Sequence, residues 1–171
     1  MSASVVDGLR VSGRLGELVG QAAIDGVGPM CGVDGTIVGP IPLPWSEPPE
    51  VIAVMSLNDT GGSQTQSLAW IGGPFESLAS VAEALLGERP AEEDELFEDC
   101  IRELANIVAG RMQECLQAEG ISMGLGLPIY ISGAKRLHVG ATLVKGAAMR
   151  VRFDLPGLPE IDTGFATEEN A

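Results

Sequence analysis

The clearest pattern of hydrophobic and polar positions lies between residues 95 and 120. Hydrophobic side chains recur there at spacings of three and four, which is the period of an α-helix with one buried face. This hydrophobic stripe consists of Phe97, Ile101, Leu104, Val108, Met112 and Cys115. The opposite side of the same helix carries a narrow polar stripe, which consists of Asp99, Glu103, Asn106, Gly110, Gln113 and Gln117. The sequence therefore predicts a long amphipathic helix at the centre of the domain.

The other segments predict two shorter helices and several strands. The helices are expected over residues 5–24 and from Pro74 to Gly87. Strands are expected at residues 36–38, 51–57, 65–71, 121–132, 137–144 and 147–155, with hairpin turns after the second and after the fifth. Consecutive hairpins give antiparallel pairing, and no βαβ alternation is present. We therefore predict an α+β fold, with largely antiparallel sheet packed against the long central helix and the two further helices.

Two segments are expected to lack regular structure. Residues 26–50 are rich in glycine and proline, so an irregular connection is expected there apart from the short strand. From Pro156 onward the chain is polar and acidic, so residues 157–171 are expected to form a mobile acidic tail. Residues 1–156 would then make up a single domain, which suits the total length of 171 residues.

The charge of the chain narrows its possible partners. It carries 10 basic and 24 acidic residues, so its net charge is −14. Nucleic acids and anionic membranes are bound by basic patches, so we expect neither as a partner. No hydrophobic run approaches the roughly 18 residues of a membrane span, and the first residues lack the hydrophobic segment of a signal peptide. A cytoplasmic location is expected.

Familiar catalytic and metal-binding patterns are missing from the sequence. The single histidine, His138, has no nucleophile elbow beside it, and the three cysteines lack the spacing of zinc ligands. Asp99 and Glu103 lie one turn apart on the polar stripe, but no further ligand completes a metal site with them. We therefore expect no metal or cofactor held by this chain itself.

Two residues of the polar stripe are unfavourable inside a helix. The side chain of Asn106 competes for backbone hydrogen bonds, and Gly110 costs about 1 kcal/mol relative to alanine. One interpretation is an ordinary solvated face. The other is a surface that another molecule approaches closely, because glycine clears space, a carboxamide donates and accepts hydrogen bonds, and the carboxylate of Glu103 can pair with a cation.

The polar stripe also carries a motif of a known family. Residues 103–110, ELANIVAG, read E-x-x-N-x-x-x-G, which resembles the signature of the CheC/CheX/FliY chemotaxis phosphatases. The preceding helix FESLASVAEALLG, the acidic link and Leu127-Pro128 in the following strand stand in the order of that family. In the first predicted helix, Gly20 occupies the position where a second motif, starting at Glu17, would have its asparagine. The chain therefore resembles the CheX-like members, which have one site.

This resemblance implies an activity, a partner and an assembly. CheX-like proteins are homodimers that hydrolyse the aspartyl phosphate of a CheY-like receiver domain, and the receiver holds its own Mg²⁺. By resemblance, Asn106 would orient the attacking water, Glu103 would dock on the active-site lysine of the receiver, and Gly110 would admit the receiver surface. Asp99 and Gln113 are expected docking residues by position. An alternative in the same superfamily is a non-enzymatic receiver-binding adaptor or a flagellar-switch-like module.

Overall fold

The structure, a computed structural model, describes residues 13–40, 49–61, 66–133 and 148–167. Within these residues the chain forms three helices, which are α1 (Arg14–Cys31), α2 (Phe75–Leu86) and α3 (Glu95–Ala118). Six strands join one sheet; they are β1 (Thr36–Pro40), β2 (Val51–Asp59), β3 (Gln66–Gly73), β4 (Met123–Ser132), β5 (Ala148–Asp154) and β6 (Ile161–Thr167).

Every pair of neighbouring strands in the sheet is antiparallel. The strand order is β1-β5-β6-β3-β2-β4, so β1 and β4 are the edge strands of the described sheet. The predicted hairpin of β2 and β3 is present, with Val51 opposite Gly73 and Asn58 opposite Gln66. The predicted α+β class, with a largely antiparallel sheet and three helices, is therefore confirmed.

The hydrophobic stripe of α3 packs against the sheet and forms much of the core. Its members Phe97, Ile101, Leu104, Val108 and Met112 are each at most 2% exposed, whereas Cys115 is half-buried. The first half of the helix packs with Val51, Ala53 and Ile71 of the sheet, and the second half with Met55, Leu57 and Ala69. At the start of α3, the carboxylate of Asp94 accepts a hydrogen bond of 3.0 Å from the backbone N–H of Leu96. This cap fixes where the helix begins.

Helix α1 extends further than the sequence pattern predicted. It continues to Cys31, so the expectation of an irregular segment from residue 26 is wrong for its first part. The glycines that argue against a helix there are needed for packing. A Cβ atom on Gly26 would lie 3.0 Å from the side chain of Ile107 in α3, and one on Gly28 would lie 2.8 Å from the carbonyl oxygen of Val33. Close helix packing outweighs the low helix propensity of glycine.

The expectation of a mobile tail from residue 157 onward is also wrong for most of that segment. Ile161–Thr167 forms β6, which lies inside the sheet between β5 and β3 and is buried along its whole length. Ile161 and Phe165 belong to the core clusters that contain the helices. The domain therefore includes residues beyond 156.

A buried ion pair neutralises Asp162, an acidic residue of β6. Acidic residues were the reason that the sequence predicted a mobile tail here. The carboxylate of Asp162 accepts hydrogen bonds from Nε of Arg150 at 3.0 Å and from Nε of Arg152 at 2.9 Å. The side chains of Arg150 and Asp162 are only 8% and 11% exposed. A buried carboxylate is tolerated when it is paired in this way, so the polar residue is compatible with an internal strand.

Helix α2 ends as predicted, because Gly87 adopts a left-handed φ of 80° at its C-cap. Pro74 is the N-cap rather than the first helical residue, and the carboxylate of Glu50 accepts a hydrogen bond of 3.0 Å from the N–H of Phe75. The predicted strand at 137–144, with the turn after it, lies outside the described residues. In the described ranges no helix is long and hydrophobic enough to cross a membrane.

We predict that Gly164→Ala destabilises the protein, because Gly164 in β6 lies directly against the ring of Trp70. An added Cβ atom would lie 1.8 Å from Cζ2 of that ring, which is 7% exposed and cannot move away freely. Overpacking of this kind should lower the free energy of unfolding by about 2 kcal/mol or more, measured by urea denaturation. An unchanged free energy of unfolding would contradict the placement of β6.

We also predict that the cysteines react slowly in the folded protein. Burial raises the pKa of Cys31, Cys115 and most strongly Cys100, whose pKa rises to about 11 with a further contribution from Cys31. Alkylation by iodoacetamide at pH 8 should therefore be much faster after unfolding.

The raised pKa of Cys100 also predicts a pH dependence of stability. In the unfolded chain this thiol ionises near its ordinary pKa of 9.0, whereas in the folded protein it stays protonated up to about pH 11. The free energy of unfolding should therefore fall between pH 9 and about 11.

Candidate functional site

The polar stripe of α3 reaches β4 through one of its members, Gln113. The carboxamide nitrogen of Gln113 donates a hydrogen bond to the carbonyl oxygen of Met123, the first residue of β4. Near the start of the helix, the rings of Phe97 and Tyr130 pack edge to face with centroids 6.3 Å apart. Residues 97 to 113 of a helix span about 24 Å and residues 123 to 130 of a strand about 23 Å. Helix and strand therefore run side by side in opposite directions.

Glu103 and Asn106 form a neighbouring pair at the surface of α3. Nδ2 of Asn106 lies 3.4 Å from Oε2 of Glu103, and the hydrogen bond between them is exposed. A donor–acceptor distance of 3.4 Å is long for a hydrogen bond, so the interaction is weak. Glu103 is exposed and Asn106 is partly exposed. Both side chains can therefore exchange this contact for one with another molecule.

Gly110 faces open space one turn further along the stripe. A Cβ atom added there would have no other atom within 4 Å, apart from its own stretch of helix. Gly26 in α1 is different, because its missing side chain makes room for α3. The fold itself therefore gives no reason for glycine at position 110. A surface that another molecule approaches does give one.

Asp99 and Gln113 differ in how far they are committed to the fold. The carboxylate of Asp99 is 74% exposed and lies 3.5 Å from Nη1 of Arg102, which also pairs with Glu98. An exposed pair of this kind contributes little to stability, so Asp99 can bind another group. Gln113 uses one amide hydrogen on Met123. Only the remaining hydrogen-bonding groups of its carboxamide are therefore available for the predicted docking role.

The first helix does not present a second site of the same kind. Gly20 is buried, and a Cβ atom there would lie 2.6 Å from Cδ1 of Ile37 in β1 and 3.3 Å from Val151 in β5. The carboxylate of Glu17 is paired with Arg14 at 2.9 Å. An asparagine at position 20 would have to displace the side chain of Ile37, which covers Gly20. In the described part of the chain, the motif therefore forms a single site, on α3.

The described residues contain no group of three or more His, Cys, Asp or Glu side chains that could hold a metal ion. The carboxylates around the stripe are instead exposed and spread along α3, where Glu98 and Asp99 both contact Arg102. The arrangement can pair with a cationic group of a partner and can position a small polar molecule through the carboxamide of Asn106.

The fold and the exposed E-x-x-N-x-x-x-G helix define the class of protein. A family model described as chemotaxis phosphatase CheX matches residues 51–146. This match spans more than half of the chain, and the chain belongs to the CheX family. A search of curated proteins finds no significant match.

Several solved structures have the same fold as this chain. The chemotaxis protein CheX from Desulfovibrio desulfuricans has a TM-score of 0.73 at 17% identity, with 90% of this chain and 99% of that chain covered. A chain of the CheX–CheY–BeF3–Mg²⁺ complex from Borrelia burgdorferi has a TM-score of 0.69 at 23% identity, covering 90% and 97%. FliY from Thermotoga maritima gives 0.62 at 16% identity, covering 91% and 87%. At these identities the similarity establishes the fold.

We predict that Gly110→Ala stabilises the isolated protein. Alanine is favoured over glycine in a helix interior by about 1 kcal/mol, and the open space around position 110 accepts the methyl group. The free energy of unfolding should rise by about 0.5–1 kcal/mol in urea denaturation. The same substitution at Gly26, which packs on Ile107, serves as the control and should give no such gain. A loss of stability at position 110 would contradict the open geometry.

Proposed function

We propose that this protein hydrolyses the aspartyl phosphate of a CheY-like receiver domain. The observation that carries the proposal is the exposed pair of Glu103 and Asn106 on α3, next to a glycine that faces open space. Membership of the CheX family supports it, and so does the fold shared with a chain of a CheX–CheY complex. The homodimer and the cytoplasmic location expected from the sequence are part of the same proposal.

The reaction needs a water molecule held in line with the phosphorus atom. In phosphoryl transfer, most of the catalysis comes from positioning and from stabilising charge on the phosphoryl oxygens. The carboxamide of Asn106 can accept a hydrogen bond from that water and donate one to a phosphoryl oxygen. This chain then contributes position, while the Mg²⁺ and the phosphorylated aspartate belong to the receiver.

Glu103 would fix the complex in the orientation that this chemistry requires. Among the described residues, its carboxylate has a single side-chain contact, the long one of 3.4 Å with Asn106. A lysine ammonium of the receiver would form a stronger, charge-assisted hydrogen bond with the same oxygen. Formation of that pair releases Nδ2 of Asn106, which can then bind a phosphoryl oxygen. Docking and catalysis are in this way coupled through one weak intramolecular bond.

Asn106→Ala should abolish the activity without unfolding the protein. Loss of a water-positioning group should reduce turnover by about 100-fold or more, measured as the rate of phosphate loss from a ³²P-labelled CheY-like receiver of the same organism. Binding of the receiver should remain within about threefold, because Glu103 is still present. The matched control is Gln117→Ala, which removes an exposed carboxamide from the same stripe about three turns away.

The adaptor alternative gives a different result in this assay. A non-enzymatic receiver-binding module would bind the phosphorylated receiver and leave the lifetime of its phosphate unchanged. Asn106→Ala would then have no rate to reduce. If every candidate receiver keeps its phosphate equally long with and without the wild-type protein, the proposed phosphatase activity is wrong.

A further inference from the structure

The two helical turns before Asn106 are acidic apart from one arginine. Residues 98–105 of α3 contain the carboxylates of Glu98, Asp99 and Glu103 and the guanidinium of Arg102. A protein-bound phosphoryl group carries about −1.5 to −2 charges at neutral pH. Carboxylates close to Asn106 therefore repel the group that the proposed function brings to this helix, and a cation among them reduces the repulsion.

Helix α3 has two basic residues, Arg102 and Arg111, and they lie on opposite sides of it. Arg102 precedes Asn106 by four residues, so the two side chains start about 5–6 Å apart on neighbouring turns. Arg111 follows Arg102 by nine residues, which is half a rotation about the helix axis. It lies on the flank that packs against α1, where a Cβ atom on Gly26 would lie 3.6 Å from Cγ of Arg111. Of the two cations, Arg102 is therefore the one beside the motif.

The guanidinium of Arg102 is held by two carboxylates. Its Nη2 pairs with Glu98, and its Nη1 lies 3.5 Å from Oδ1 of Asp99. Burial raises the pKa of Tyr130 in β4, Glu98 adds to the rise and Arg102 opposes it, so the tyrosine hydroxyl lies near this ion pair. The positive charge is therefore placed on the β4 side of the helix, one turn before Asn106.

The ion pairs do not explain why an arginine is required here. A pair between residues four apart on a helix surface contributes little to stability. Nε of Arg102 is buried and has no hydrogen-bond partner among the described residues, and a buried donor without a partner lowers stability. The side chain is nevertheless 40% exposed, so its charge also acts on whatever approaches the helix.

We infer that Arg102 is an electrostatic positioning residue, which lets this acidic helix accept the phosphorylated form of the receiver. The inference rests on the proposed function, in which a receiver lysine pairs with Glu103. Arg102 and that lysine together leave one of the three carboxylate charges uncompensated, and without Arg102 two remain. Arg102 therefore favours the receiver that carries a phosphoryl group over the receiver that lacks one.

Arg102→Gln tests this role, with Arg111→Gln as the matched control. Each substitution removes one positive charge from an ion pair on α3, and the two arginine side chains are 40% and 49% exposed. In the phosphate-loss assay at about 0.05 M salt, Arg102→Gln should raise the KM for the phosphorylated receiver about fivefold. Its kcat should stay within about twofold of the wild-type value, because Asn106 is intact. Arg111→Gln should leave both constants unchanged.

Two further measurements separate the charge of Arg102 from a purely structural role. Arg102→Lys keeps the charge, so its KM should stay within about twofold of the wild-type value. Raising the salt concentration to about 0.5 M should reduce the effect of Arg102→Gln to about twofold or less, because the Debye length then falls below about 5 Å. Affinity for the unphosphorylated receiver should be the same in all four proteins.

Other results in these assays would overturn the inference. They are equal KM values for Arg102→Gln and the wild type, a loss that persists at high salt, and a loss that affects both forms of the receiver equally. If the wild-type protein has no activity, the proposed phosphatase is wrong and binding of the receiver with beryllofluoride and Mg²⁺ tests Arg102 separately. Weaker binding by Arg102→Gln alone supports its role, whereas equal binding by wild type and both glutamine variants, or none, overturns it.

Discussion

The packing of one face of α3 against the sheet is the interaction on which the candidate site depends. The buried stripe from Phe97 to Met112 fixes the rotation of the helix about its axis, since turning it would expose these side chains. Full burial of each contributes roughly 1.5–3 kcal/mol. The hydrogen bond from Gln113 to Met123 holds the flank of the helix beside β4. Glu103 and Asn106 therefore face outward because the residues on the other side must face inward.

Glycine has opposite roles at different places in this fold. Gly164 is required because the ring of Trp70 occupies the space of its missing side chain, and Gly26 packs tightly against Ile107. Gly110 has nothing around it and costs helix stability without a packing gain. Sequence alone does not distinguish these cases, because each is simply glycine in a helix or strand. The structure separates glycine that serves the fold from glycine that leaves a surface open, and a surface of the second kind lies beside the motif.

Local periodicity explains which parts could be predicted from the sequence. The long helix and the β2–β3 hairpin were predicted because their patterns are complete within one short stretch, and the pair of Glu103 and Asn106 lies within a single helical turn. Strand β6 was missed because the partners that make Asp162 acceptable, Arg150 and Arg152, belong to another strand. Strand β4 also contains a bulge, where residues 126 and 127 are both opposite residue 56 of β2. It could not be predicted for the same reason, since it is defined by pairing with β2.

The two long helices show why one fold can keep one site open and close another. Both α1 and α3 pack on the same sheet. Gly20 of α1 lies under Ile37 of the edge strand β1, so the position corresponding to Asn106 is filled from outside. On α3, by contrast, Asn106 is partly exposed, and a Cβ atom added to Gly110 would meet no atom within 4 Å. A side chain of an edge strand therefore covers this face of α1, whereas the motif on α3 stays open to a partner.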